Sequence, residues 1–158
     1  MITTKRVSLA LILALNFTSA SSAAASKAPS GAQGVDEAWR AAIAANDLKA
    51  VMSCYSKDAV MWLPGAPEAK GTEAIRTSYA GLLAGNTVTG ATFANTHYQT
   101  SGNVSVGWGD FTLNLSPKAG GSPVSLSGRF SVIARKEGGK WAYVVDHASS
   151  PATPPAPH

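Results

Sequence analysis

The chain has 158 residues, 45% hydrophobic and 14% charged, with a formal net charge of +4, three histidines and one cysteine. That length fits one compact domain and leaves no room for two. A lone cysteine excludes an intramolecular disulfide, and a weak net charge with no basic stripe argues against nucleic acid as a partner.

The first 25 residues read as a secretory signal peptide. Lys5 and Arg6 supply a positive start, "VSLALILALNF" an apolar run, and "SSAAAS" a small-residue cleavage site at Ala23 to Ala25. The run is shorter than the roughly 20 apolar residues of a membrane span, so no membrane association is expected after cleavage, and the mature protein is expected in the periplasm or outside the cell. Without Lys5 and Arg6, 11 basic residues face 9 acidic ones. Residues 26–33 read as a linker and residues 150–158, "SPATPPAPH", as a proline-rich tail, which leaves a folded unit over 34–149.

Within that unit, "VDEAWRAAIAAN" sets Val35, Trp39, Ala42 and Ile43 on one helical stripe. Asp47 then caps a second helix carrying Leu48, Val51, Met52 and Tyr55. "DAVMWLPG" is a short strand stopped by Pro64 and Gly65, and Thr72 opens a third helix with Ile75, Tyr79, Leu82 and Leu83 inward. Strands follow at about 88–100, 103–115, 124–136 and 140–149. Three helices followed by an antiparallel meander give an α+β fold. Between 103 and 115 the apolar parity switches from Val104, Val106 and Trp108 to Phe111, Leu113 and Leu115, which predicts a bulge at residues 107–109.

A two-residue turn at Gly138-Gly139 pairs Ser131 with Asp146, Arg129 with Ala148 and Ile133 with Val144. This register puts Asp146 beside Ser131 and diagonal to Arg129 on one face of the sheet, as a polar site or a buried ion pair. It sends His147 to the outer side with Phe130, Val132, Tyr143 and Val145, an apolar patch suited to a homodimer contact. His97 is a second candidate general base. Three scattered histidines have no ligand spacing, so no metal is expected, and no glycine-rich phosphate loop or other cofactor motif is present.

The segments "DLKAVMSCYSKDAV", "LPGAPEAKGTEAIRTSY" and "GRFSVIARKEGGKWAYVVDHASSP" resemble the NTF2-like superfamily in its SnoaL-like and DUF4440 branches, closest to bacterial relatives of the calcium/calmodulin-dependent kinase II association domain. The resemblance implies a strongly bent sheet wrapped round a long helix, a cone-shaped pocket and a homodimer. Against ketosteroid isomerases of this fold, Leu63 falls where the base is expected, Trp39 on the oxyanion-hole tyrosine and Ser131 on its assisting acid; only Tyr79 matches in type. Against the epoxide hydrolase type with an Asp-Arg-Asp group, Arg129 and Asp146 match and Ser131 does not. Two functional classes follow. In the first, the domain binds a small, possibly anionic, organic molecule through Arg129, Ser131, Asp146, Trp39, Tyr79 and Leu63. In the second, it is an isomerase, dehydratase or hydrolase in which Asp146 or His97 moves a proton.

Overall fold

The computed structural model describes residues 28–151; the signal-peptide reading and all but the first two residues of the tail lie outside them. Helix α1 (Gly31–Ala44) is followed by the single turn α2 (Leu48–Met52), strand β1 (Tyr55–Trp62), a two-residue β2 (Ala69–Lys70), helix α3 (Gly71–Gly85) and four long strands. These are β3 (Asn86–Ser101), β4 (Val104–Pro117), β5 (Val124–Glu137) and β6 (Lys140–Ser149). They form one six-stranded sheet in the order β2-β1-β6-β5-β4-β3, antiparallel except where β1 runs parallel to β6. The α+β class stands, with three helices of which one is a single turn. The four long strands form the antiparallel meander expected, and the one parallel pairing arises because the chain returns from β5 so that β6 lies beside β1 in the same direction.

The folded unit begins earlier than its apolar stripe implies, so residues 31–33 belong to α1 and not to a linker. Ser30 makes no side-chain cap; Ser105 of β4, fully buried, accepts the Ala32 N–H at 2.9 Å and so occupies one of the free donors of the helix start. At the far end Asn46 takes a left-handed backbone (φ 56) and clasps Val88 of β3, accepting its N–H at 2.8 Å and donating to its carbonyl at 3.0 Å. Asp47 caps α2 through Ala50 N–H at 2.9 Å. Tyr55 is not on that helix. It opens β1, where the turn at Ser53-Cys54 delivers it to the core.

The inner face of the sheet, against α1 and α3, carries Val88, Ala91, Leu113, Leu115, Phe130, Val132, Ala134 and Tyr143, all buried. The bulge expected at residues 107–109 is absent: β4 pairs with β5 without interruption from Val104 to Leu115. Its inner face is Ser105, Gly107, Gly109, Phe111, Leu113 and Leu115, while Val104, Val106 and Trp108 make an apolar outer face. The two glycines make room, since a Cβ on Gly107 would lie 2.9 Å from the Tyr98 ring and one on Gly109 3.1 Å from Phe130. Irregularities fall elsewhere in the sheet, among them one on β3 between Ala94 and His97, where Asn95 has φ 49, and one at the β5–β6 pair.

That second irregularity resets the register of the last hairpin. Glu137 faces Lys140 and Ala134 faces Tyr143 as a two-residue turn requires, but Val144 is then skipped, and Ile133 faces Val145, Val132 faces Asp146 and Ser131 faces His147. The pairings of Ser131 with Asp146, Arg129 with Ala148 and Ile133 with Val144 are therefore corrected. So is the outer patch: Phe130, Val132 and Tyr143 are core residues, and of the four only Val145 lies on the outer face.

Candidate functional site

An elongated cavity of 710 Å³ opens between the inner face of the sheet, α1 and α3. Its walls are aromatic and aliphatic: Trp39 from α1, Tyr79 and Leu82 from α3, Phe93, Phe111, Phe130 and Tyr143 from the sheet, with Leu63, Pro64, Ser150 and Pro151 at loop positions. Trp39 stacks on Phe93 with centroids 5.7 Å apart, and Phe93 leans on Phe130 at 4.7 Å. Two carboxylates, Asp36 and Asp146, interrupt this surface, and no Lys, Arg or His is among its lining residues.

Asp146 is the end of a hydrogen-bond chain whose direction is set by chemistry. The Trp39 indole N–H can only donate, and it donates to the Tyr79 hydroxyl at 2.9 Å. Tyr79 meets the Tyr55 hydroxyl at 2.6 Å, and Tyr55 donates to Asp146 Oδ2 at 2.5 Å. With Asp146 ionised the protons therefore run Trp39 to Tyr79 to Tyr55 to Asp146. Tyr55 stands behind the wall and joins two groups that face the cavity. Burial pushes the Asp146 carboxyl above its ordinary value, opposed by the Tyr55 hydrogen bond and by His147. Its other oxygen, Oδ1, has no hydrogen-bond partner among the described residues.

Asp36 sits on the same cavity under different terms. Almost wholly buried, it accepts from Tyr143 at 2.5 Å and from Tyr98 at 2.9 Å, one hydroxyl on each oxygen. Burial raises its pKa to about 6 against the lowering effect of those two bonds. Desolvation and the neighbouring carboxylates raise the phenols: Tyr55, Tyr79, Tyr98 and Tyr143 all lie above the usual tyrosine range, so they act as fixed donors.

Of the residues singled out from the sequence, Asp146, Trp39, Tyr79 and Leu63 line the cavity together. Arg129, Ser131 and His97 do not. Arg129 and Ser131 alternate with the buried Phe130 and Val132, so they point to the outer face, and Asp146 has no ion pair with Arg129. His97 lies flat on Trp108 on that same side, centroids 5.5 Å apart, near Arg129 and His147. The reason is the strand alternation: one face of β5 is continuously apolar and takes the core, which leaves its polar parity outside. Sequence reasoning misses Asp36, Tyr55 and Tyr98 as site residues. For Asp36 a signal exists, since it precedes Trp39 by three and Ile43 by seven and so falls on the apolar helix stripe.

Among the described residues no group of three or more His, Cys, Asp or Glu is placed to hold a metal ion, and no helix is long and apolar enough to cross a membrane. A family model described as a SnoaL-like domain matches residues 37–144. Among solved structures, the chain is similar to one described as a calcium/calmodulin-dependent protein kinase II association domain from Xanthomonas campestris, at 20% identity over 77% of this chain and 85% of that one, TM-score 0.67. A ketosteroid isomerase-like protein from Erwinia carotovora atroseptica is 20% identical over 75% of this chain and 92% of its own, TM-score 0.64. One described as a scytalone dehydratase from Novosphingobium aromaticivorans is 11% identical over 75% and 80%, TM-score 0.66. At these identities the likeness shows the fold. No curated protein matches the chain.

Proposed function

The chain belongs to the SnoaL-like domain family, of NTF2-like fold, and from that premise we propose that it binds a small, largely apolar organic molecule in the cavity and anchors one polar group of it on Asp146. One observation carries this reading: an unshared carboxylate oxygen, Asp146 Oδ1, sits on a mainly aromatic and aliphatic wall, with Tyr55 holding the other oxygen. A cavity of this size with a largely apolar lining and a few polar groups is what small-ligand sites have in common. With Arg129 on the other side of the sheet, the reason for an anionic ligand is gone. The test is a titration with N-phenyl-1-naphthylamine, a neutral fluorescent probe of apolar pockets. It is expected to bind the wild type and to bind at least tenfold more weakly to Ala148→Trp, which fills the cavity beside Asp146. Equal binding by both would overturn the reading.

The directed hydroxyl chain supports a second reading, proton transfer by Asp146. An ionised Asp146 accepts a proton on Oδ1, and a neutral one returns it there, while Tyr55 stays hydrogen-bonded throughout. Asp146→Asn separates the two readings: turnover of any substrate falls by a factor of about 10² to 10⁴ if the carboxyl is acid or base, whereas binding of a neutral ligand stays within about tenfold.

Two features of the sequence belong with this proposal. The signal peptide makes the protein periplasmic or secreted, tested by whether the mature mass begins near Ala25. A homodimer forms through the outer face, where Trp62, Val106, Trp108, Ile133 and Val145 are clustered and Trp62 and Trp108 are exposed at 42% and 40%.

A further inference from the structure

The cavity has a largely aromatic wall, an open carboxylate and, among the described residues that line it, no cationic side chain. Resting on the reading that the cavity is the binding site, we infer that its ligand is an organic cation, a protonated amine on an apolar body, whose N–H is donated to Asp146 Oδ1.

Four observations converge on that class. Asp146 Oδ1 faces the cavity without a protein donor, and Asp146 is the lining carboxylate that has such an oxygen; both oxygens of Asp36 are taken by Tyr143 and Tyr98. Asp146 is half-buried with one oxygen held by Tyr55, and an ammonium supplies the other with both charge and hydrogen bond. The lining residues hold no Lys or Arg to serve as that partner; Arg129 lies across the sheet among His97, Ser131 and His147. Finally, the rings of Trp39, Phe93 and Phe130 lie together on the wall, and aromatic rings attract cations where water is excluded. A carboxylic acid ligand meets the reverse of each term: like charge from Asp146 and Asp36, no cation, and the electron-rich faces of the rings.

The experiment is competition against N-phenyl-1-naphthylamine in the mature protein at neutral pH, with three probes that share one apolar body: 6-phenylhexylamine, 6-phenylhexan-1-ol and 6-phenylhexanoate. The amine is expected to displace the dye at least tenfold more strongly than the alcohol, and the carboxylate at least tenfold more weakly than the alcohol. In Asp146→Asn the advantage of the amine over the alcohol is expected to shrink to within about threefold. An alcohol that competes as well as the amine in the wild type overturns the cation while leaving the cavity as the site. An amine advantage undiminished in Asp146→Asn overturns Asp146 as its anchor. Dye binding that is indifferent to Ala148→Trp overturns the site and the cation together.

Discussion

Asp36 and Asp146 lie on one cavity, yet the molecule treats them differently. Asp36 gives both oxygens to tyrosine hydroxyls and thereby ties α1 to β3 through Tyr98 and to β6 through Tyr143. Asp146 gives one oxygen to Tyr55 and keeps the other on the cavity. Burial raises both carboxyls, so the raised pKa alone does not tell a structural acid from a functional one. The number of donors does. A saturated carboxylate holds elements together, and in the proposal above the unsaturated one is the group a ligand meets.

The contrast is broken most severely at Asp36. Asp36→Ala strands the Tyr143 and Tyr98 hydroxyls and is expected to cost about 2–4 kcal/mol in urea unfolding; a loss below about 1 kcal/mol would mean that Asp36 pins nothing. Tyr55→Phe removes one donor from Asp146 and breaks the chain from Trp39, with an expected cost of about 1–2 kcal/mol. It also removes the bond that lowers the Asp146 pKa, so that carboxyl should titrate higher still. An Asp146 titration moved downwards by Tyr55→Phe would contradict the chain.

A smaller effect is read from pH. Asp36 titrates at about 6 in the folded protein and near 3.8 once unfolded, so the folded state holds the extra proton between those values. Its contribution to stability is full below the unfolded value and is lost as pH rises through the folded one. Relative to pH 7.5, the protein should gain about 1 kcal/mol from this group at pH 5. Asp36→Asn should flatten that part of the profile, and an unchanged slope in thermal or urea unfolding would assign it elsewhere. The smallest change on the monomer is expected on the outer face. Trp108→Lys should alter unfolding by less than about 0.5 kcal/mol and, if the proposed homodimer forms through this face, should shift light-scattering mass from dimer to monomer. A mass that stays dimeric would place the contact somewhere else.

How far the sequence reveals this is clearest on the last hairpin. Its strands, its turn and the inward direction of Asp146 are legible, but Asp146 reaches the cavity for a different reason from the register argument. A regular two-residue hairpin turns the polar face of β5 inward where the structure turns its apolar face, and the skipped Val144 shifts β6 by one residue; the two departures cancel at Asp146 and His147 and persist at Arg129 and Ser131. Nothing in "YVVD" marks a bulge, since either valine suits a regular strand. On β4 the inner parity is hidden because Ser105, Gly107 and Gly109 are small to admit Tyr98 and Phe130, while the outer face carries the valines and Trp108. The long helices and the order of strands are written in periodicity. The pairing of Asp36 with two tyrosines 62 and 107 residues away is not, because it depends on which strand lies over α1.

The central claim is that Asp146 is the open carboxyl of the cavity, and carboxyl ¹³C NMR titration of that residue tests it most directly. The inflection should lie above the ordinary 3.8 in the free protein and should move when the cavity is saturated with N-phenyl-1-naphthylamine. An inflection at or below 3.8 that the dye leaves unmoved would contradict the account.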